Sequence, residues 1–222
     1  MAHFLSNFFH LIYENSCLVC NQGAKDLFVC LNCESSFLER KENHLKSFKE
    51  YNLEIFSWGY YEGNLRSGII ELKNGKKKLA KYFAQKIHGF WNEINISSIT
   101  KGAIVIAVPS SKKRIKERGY CQTSLIAEEF AKLQLLKFID NFVIRKKETS
   151  FMNKLENLEE RQKNIKDAFE LTRNFVPTKS ILLIDDILTS GSTLCELSKT
   201  IHETYPEIKI TGLTVAAGDR FN

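Results

Sequence analysis

Two runs of uninterrupted apolar residues, 103–108 and 181–184, constrain this chain more than any other feature. The first ends at Pro109 and the second in two adjacent acids, Asp185 and Asp186. A strand that is apolar on both faces must be covered on both faces, so each run belongs inside a sheet with helices above and below. Helices of the right kind flank them. Residues 76–94 place Leu79, Phe83, Ile87, Phe90 and Ile94 on one stripe, and residues 124–136 do the same with Leu125, Ile126, Phe130, Leu133 and Leu136. Residues 193–201 turn Leu194, Leu197 and Ile201 inward, and residues 64–72 carry Leu65, Ile69 and Leu72 at helical spacing. Further strands are expected over 54–61, 142–144 and 210–216. From about residue 100 strands alternate with helices, which predicts right-handed crossovers and a mostly parallel α/β sheet. In such sheets ligands gather beyond the carboxyl ends of the strands. The two segments to read for function are therefore those after Val108 and after Ile184.

Composition supports a folded chain. With 222 residues, 43% of them hydrophobic and only 11 Gly and 3 Pro, disorder and collagen-like structure are excluded. No run reaches the ~20 apolar residues that cross a bilayer. Residues 1–13 are apolar at helical spacing, with neither a basic residue ahead of them nor a small-residue cleavage site, so they are expected to pack on the body of the protein rather than to direct secretion. A cytoplasmic location with reduced thiols follows as the expectation.

The net charge of +6 is unevenly spread. Residues 71–86 hold Lys73, Lys76, Lys77, Lys78, Lys81 and Lys86 against Glu71, and residues 101–118 hold Lys101, Lys112, Lys113, Arg114, Lys116 and Arg118 against Glu117. Such patches attract phosphates, free or polymerised. The first patch reads as a solvated helix face, with Lys73, Lys76, Lys77 and Lys78 as candidates for nucleic acid; Trp58, Tyr60, Tyr61 and Trp91 are aromatics that could stack bases, although core packing suits most of them. The second reads as a basic loop over 110–120.

Cys17 and Cys20 form one C-x2-C pair and Cys30 and Cys33 another, after a nine-residue spacer. Two such pairs bring four thiolates together for a tetrahedral Zn2+, and four thiolates leave no open position for water, so the metal is structural. His44 is surplus to that set. Cys121 and Cys195 stand alone and read as small apolar residues.

After Ile184 the chain runs Asp185-Asp186-Ile187-Leu188-Thr189-Ser190-Gly191-Ser192-Thr193 and enters a helix. Gly191 allows close backbone approach, and successive N–H groups with the helix dipole make an anion cradle, to which the Ser and Thr hydroxyls add donors. Carboxylates repel phosphate, so Asp185 and Asp186 are expected to meet another part of the ligand, such as ribose hydroxyls. Thr193 and Glu196 also have the spacing of a capping box. No Gly-x4-Gly-Lys occurs, so this is not a P-loop.

Strand, two acids and T-S-G-x-T resemble the phosphoribosyl pyrophosphate (PRPP) signature of type I phosphoribosyltransferases. Pro109, Arg118-Gly119-Tyr120-Cys121-Gln122, Arg161-x2-Asn164-x3-Ala168-Phe169 and Leu72-Lys73-x-Gly75, together with the cysteine pairs, resemble the ComF competence family. The resemblance spans residues 14–218. It departs from the family pattern at Cys121, where Asn is usual, and at Met152, where Gln is usual. It implies a small N-terminal zinc module within residues 1–40 and a phosphoribosyltransferase-like α/β domain over 50–222. By the resemblance Asp185 and Asp186 hold the ribose, and Leu188, Thr189, Ser190, Gly191, Ser192 and Thr193 wrap the 5′-phosphate. Ser110, Lys112, Lys113, Arg114 and Arg118 then hold pyrophosphate, with Mg2+ accompanying PRPP; no general base is assigned. The implied role is handling of incoming single-stranded DNA during natural transformation, with other competence or recombination proteins as partners. The alternative is a zinc-containing single-stranded-DNA-binding protein whose PRPP pocket is regulatory or vestigial.

Overall fold

A computed structural model describes residues 16–24, 27–37, 46–48, 51–94, 102–147, 164–172 and 178–218. The apolar segment 1–13, His44, Lys101, Met152 and Arg161 lie outside them. In chain order the elements are α1 (Leu31–Ser35), β1 (Lys46–Phe48), β2 (Leu53–Tyr60), α2 (Gly63–Lys73), α3 (Lys78–Glu93), β3 (Ile104–Ala107), α4 (Lys112–Arg118), α5 (Gln122–Gln134), β4 (Lys137–Phe138), β5 (Val143–Arg145), β6 (Phe169–Leu171), β7 (Ser180–Leu188), α6 (Ser192–His202) and β8 (Lys209–Ala217).

The main sheet has the order β1-β2-β8-β7-β3-β4, and every neighbouring pair is parallel except β1 with β2. This is the α/β architecture that the alternating pattern predicts. β5 and β6 form a separate antiparallel ribbon. One face of the main sheet, bearing Phe56, Trp58, Leu182, Ile184, Leu213 and Val215, is covered by α2, α3 and α5. The other, bearing Ile55, Ile106, Leu183 and Ile210, is covered by α6 and by Phe142, Val143 and Phe169 around the ribbon. Trp91 and Phe83 are fully buried, so truncating either to Ala is expected to cost about 3–5 kcal/mol.

Some elements had no sequence signature. β1 sits in a polar stretch and exists because β2 offers it an edge, pairing Lys46 with Ile55 and Phe48 with Leu53. Residues 112–118 are a helix, not a loop: Ser111 caps it by accepting from the Arg114 N–H at 3.4 Å, and Gly119 at φ 79° ends it. With Ile115 as its one apolar residue, α4 has no apolar stripe to reveal it. Leu133, expected inward on α5, is 41% exposed. Trp58 and Trp91 lie in the core and present no face to a nucleic-acid base.

Candidate functional site: a four-thiol cluster and a polar cleft

The four predicted cysteines meet. The Sγ atoms of Cys17, Cys20, Cys30 and Cys33 all lie within 4.8 Å of one another, and Cys20 and Cys30 are 3.7 Å apart. Four ligands at the ~2.3 Å of a zinc–thiolate bond stand about 3.8 Å from each other, so the donor set fits a tetrahedral metal. The N–H groups of Val19 and Cys30 donate to Cys17 Sγ at 3.4 and 3.3 Å. Burial raises the Cys17 thiol, but these backbone hydrogen bonds and that of Cys20 outweigh it and bring it down to about 6, while burial and the neighbouring thiols push Cys33 up. The cluster is not a detached knob. Cys17, Val19, Val29, Cys33 and Phe37 belong to the same apolar core as α2 and α3, and Val19 lies against Gly68 of α2.

The second site forms at the carboxyl ends of β3 and β7. β7 runs through both acids: Asp185 pairs in register with Thr214, and the strand continues to Leu188. Its alternation fails there. Leu182 and Ile184 face the α2/α3/α5 side and Leu183 faces α6, yet Ile187 packs on the first side and Leu188 on the second. Asp185 and Asp186 occupy the break, and the Asp186 N–H donates to Asp185 Oδ1 at 2.8 Å.

Asp186 is 7% exposed and is met from two directions. Lys73 Nζ, at the end of α2, lies 2.7 Å from its Oδ2, and Gln122 Nε2, at the start of α5, donates to the same oxygen at 3.3 Å. Gln122 in turn accepts from Arg118 Nη1 at 3.0 Å and from Ser110 Oγ at 3.4 Å. Burial alone would raise the Asp186 carboxyl, but the Lys73 ammonium and these hydrogen bonds hold it below the ordinary carboxylate range. Asp185 is pushed the other way, well above that range, by burial and by the charge of Asp186. The Lys73 ammonium therefore favours the charged form of Asp186, whereas burial beside that charge favours the protonated form of Asp185.

Around this pair opens a cleft of about 490 Å3. Of the predicted ligand-binding residues, Asp185, Asp186, Thr189, Thr193, Ser110, Arg114 and Arg118 line it. The i, i+4 spacing of Arg114 and Arg118 on α4 sends both to the cleft, and leaves Lys112, Lys113 and Lys116 exposed. Leu188 is buried in the core and its carbonyl accepts from the Gly218 N–H at 3.1 Å. Ser190 and Ser192 bond each other through their hydroxyls at 2.8 Å. The capping box does not form: Gly191 is the N-cap of α6, and Glu196 instead accepts from the Asp167 N–H at 2.7 Å. Gly191 needs to be glycine twice over. Its φ is 78°, and a Cβ would stand 2.5 Å from the Phe48 ring.

Three cations and an apolar side chain enter the cleft from positions that the sequence motifs did not single out for it. Lys73, expected with the nucleic-acid stretch, is on Asp186; Arg66 and Ile70 stand on the same face of α2; Arg145 reaches in from β5 with its guanidinium 5.7 Å from the Phe169 ring centre. The 66, 70, 73 spacing was the available signal, but it resembles an ordinary solvated stripe. The remaining lysines of that stretch go elsewhere: Lys76 pairs with Glu71 at 2.9 Å and donates to Asn21 Oδ1 at 2.7 Å, Lys77 stands 4.7 Å over the Tyr120 ring, and Lys78 is exposed. Cys121 lies outside the cleft, in a neighbouring cavity of about 350 Å3 on the far side of Pro109 and Ser110.

No protein-family profile matches the chain. It is 34% identical over 115 residues to Competence protein F of Haemophilus influenzae, covering 50% of each chain. It is 27% identical over 97 residues to DNA utilization protein YhgH of Escherichia coli, covering 44% of this chain and 42% of that one. The chain thus spans about half the length, or less, of these curated relatives. Among solved structures, an adenine phosphoribosyltransferase aligns at 15% identity and TM-score 0.36 over 62% of this chain and 71% of that one. The adenine phosphoribosyltransferase of Leishmania tarentolae aligns at 13% identity and TM-score 0.36, over 80% and 95%. No helix among the described residues is long and apolar enough to cross a membrane. The resemblance drawn from the motifs thus has its counterpart in a curated competence protein: half of this chain is similar to Competence protein F, and the described residues hold the four-cysteine cluster and the mostly parallel α/β sheet expected from the sequence.

Proposed function

We propose that the cleft binds PRPP or a related sugar phosphate, and that the protein acts in handling incoming single-stranded DNA during natural transformation. The observation that carries the reading is convergence. Two carboxyls in different protonation preferences, two threonines at a helix N-terminus and four arginines with Lys73 line one cleft although they come from five separate segments. The charges are sorted in a way that suits such a ligand. Thr189, Thr193 and the first N–H groups of α6, which have no acceptor within the helix, suit the 5′-phosphate. Asp186 accepts from a ribose hydroxyl, and Asp185 can donate to one. Arg114, Arg118 and Ser110 suit the pyrophosphate on C1.

In a phosphoribosyl transfer the C1–O bond breaks with its electron pair leaving on pyrophosphate, and a lone pair of the acceptor forms the new bond to C1. Cations aimed at the departing oxygens lower the barrier by several kcal/mol. Among the described residues the carboxyls of the cleft are Asp185 and Asp186, and Lys73 pairs with Asp186 at 2.7 Å. Mg2+ entering with PRPP would be held by pyrophosphate oxygens and water. The test is Asp185→Ala with Asp186→Ala, followed by calorimetry with PRPP and Mg2+. Affinity is expected to fall by at least ~100-fold, two hydrogen-bonding groups being lost, one of them charged, while the variant still unfolds in one cooperative transition at a lower temperature. Unchanged affinity would overturn the reading.

One observation favours a second role for the same protein. Lys112, Lys113 and Lys116 are exposed on the face of α4 turned away from the cleft. A basic face there suits a nucleic-acid backbone, and single-stranded DNA binding should then weaken steeply as salt rises. A flat salt response would remove this role and leave the cleft untouched.

A further inference from the structure

We infer that Tyr120 is a positioning residue for the cleft: its hydroxyl closes the C-terminal end of α2 from across the molecule and thereby holds Lys73 on Asp186. The inference rests on the reading of the cleft as an anion site. The last carbonyls of a helix have no partner within it. In α2 those of Ile70 and Glu71 are met locally, by the N–H groups of Asn74 at 3.0 and 3.1 Å and of Lys76 at 3.1 Å. The Leu72 carbonyl is met by Tyr120, whose hydroxyl donates to it and accepts from the Gly75 N–H at 3.0 Å. Lys73 is thus bracketed by two backbone groups, both fastened to one phenol oxygen. Leu72 is fully buried and Tyr120 is 8% exposed, so water does not stand in for that oxygen.

The anchor is well chosen in space. Tyr120 lies between Arg118 and Gln122, which form the other side of the Asp186 network, while its own side chain is not part of the cleft lining. A single hydroxyl therefore sets the distance between the two segments that grip Asp186. The Lys77 ammonium over the ring, 4.7 Å from its centre, seats the phenol from the outer side. Gly75, at φ 116°, gives the chain the turn that brings its N–H back to the same oxygen.

Tyr120→Phe keeps the ring and its packing and removes only the hydroxyl. Calorimetry with inorganic pyrophosphate is expected to show about a tenfold loss of affinity, the equivalent of one buried hydrogen bond. If the hydroxyl acts through Lys73, it matters only while Lys73 is present: Y120F should add nothing further in a Lys73→Met background, a result that a merely structural loss would not give. Wild-type affinity in Y120F, or a full additional loss in the double variant, overturns the inference. If wild-type protein binds neither pyrophosphate nor PRPP, the proposed function fails. The positioning role is then decided by the carboxyl resonance of Asp186, which should move in Y120F as it does in K73M; an unmoved resonance sinks it. A last measurement needs no variant. The Gly75 amide should be protected from hydrogen exchange in the wild-type protein, and exchange at the rate of an open turn would also overturn the inference.

Discussion

The four-thiol cluster and the polar cleft are both places where this molecule concentrates reactive side chains, and they are built in opposite ways. The cluster draws its ligands from a turn at Cys17–Cys20 and from the start of α1 at Cys30–Cys33, all of one chemical kind, brought within 4.8 Å of each other. The cleft draws carboxyls, hydroxyls and guanidiniums from α2, α4, α5, β5, β7 and α6, and keeps unlike charges paired while leaving space between them. A closed set of soft donors suits an ion that never leaves; an open set of hard charges suits a ligand that comes and goes. The two are nonetheless mechanically joined. One side of α2, at Gly68, packs on Val19 beside the thiols, and another carries Arg66, Ile70 and Lys73 into the cleft.

That comparison can be broken most forcefully at the four thiols. Cys33→Ser, or a chelator strong enough to strip the cluster, is expected to cost more than about 4 kcal/mol in chemical denaturation, the range of a lost structural metal. Because the cluster shares its core with α2, PRPP affinity should fall as well; full affinity in the metal-free protein would show the two regions to be independent. Lys73→Met comes next. It leaves Asp186 buried without its cation and is expected to cost about 3 kcal/mol at pH 7, read from urea midpoints.

The same variant has a pH signature. Asp186 is held below its ordinary value, so its contribution to stability is present above about pH 4 and is lost as pH falls through its lowered folded value. Removing Lys73 should flatten that acid limb. Gly191→Ala is expected to cost about 2 kcal/mol, part from the left-handed backbone and part from the Phe48 ring at 2.5 Å. Phe48→Ala should restore only the steric part, which a double-mutant cycle separates.

The smallest effect has the opposite sign. Asp185 keeps its proton above the ordinary carboxylate range, so its contribution is present below about pH 4 and is lost as pH rises towards its raised folded value. Asp185→Asn, which retains the oxygen that accepts from the Asp186 N–H, is therefore expected to stabilise the protein at pH 7 by about 1 kcal/mol. Thermal melts at pH 4 and pH 7 would check it, and a gain at pH 4 as large as at pH 7 would contradict the assignment. Ligand affinity should fall in the same variant, so stability and binding would part company at one residue.

The sequence by itself determined what depends on neighbours along the chain. Apolar runs without polar interruption must be interior strands, so β3 and β7 were legible, and stripes at helical spacing located α2, α3, α5 and α6 to within a few residues. Paired cysteines with two residues between them announced the cluster, because each pair is a local unit, a turn at Cys17–Cys20 and the first turn of α1 at Cys30–Cys33. The TSGST turn marked the carboxyl end of β7 for the same reason. Tertiary structure decided what depends on partners far away. β1 forms only because β2 offers an edge; α4 forms from a charged segment that a Ser cap and a Gly stop define; Glu196, spaced to cap its own helix, is taken by the Asp167 N–H. Above all, only the fold could turn Lys73 from one lysine in a basic stretch into the counter-ion of Asp186. The physical reason is one of range: backbone propensity and burial act within a turn or a strand and leave periodic traces, whereas an ion pair between distant segments depends on a distance that no spacing encodes.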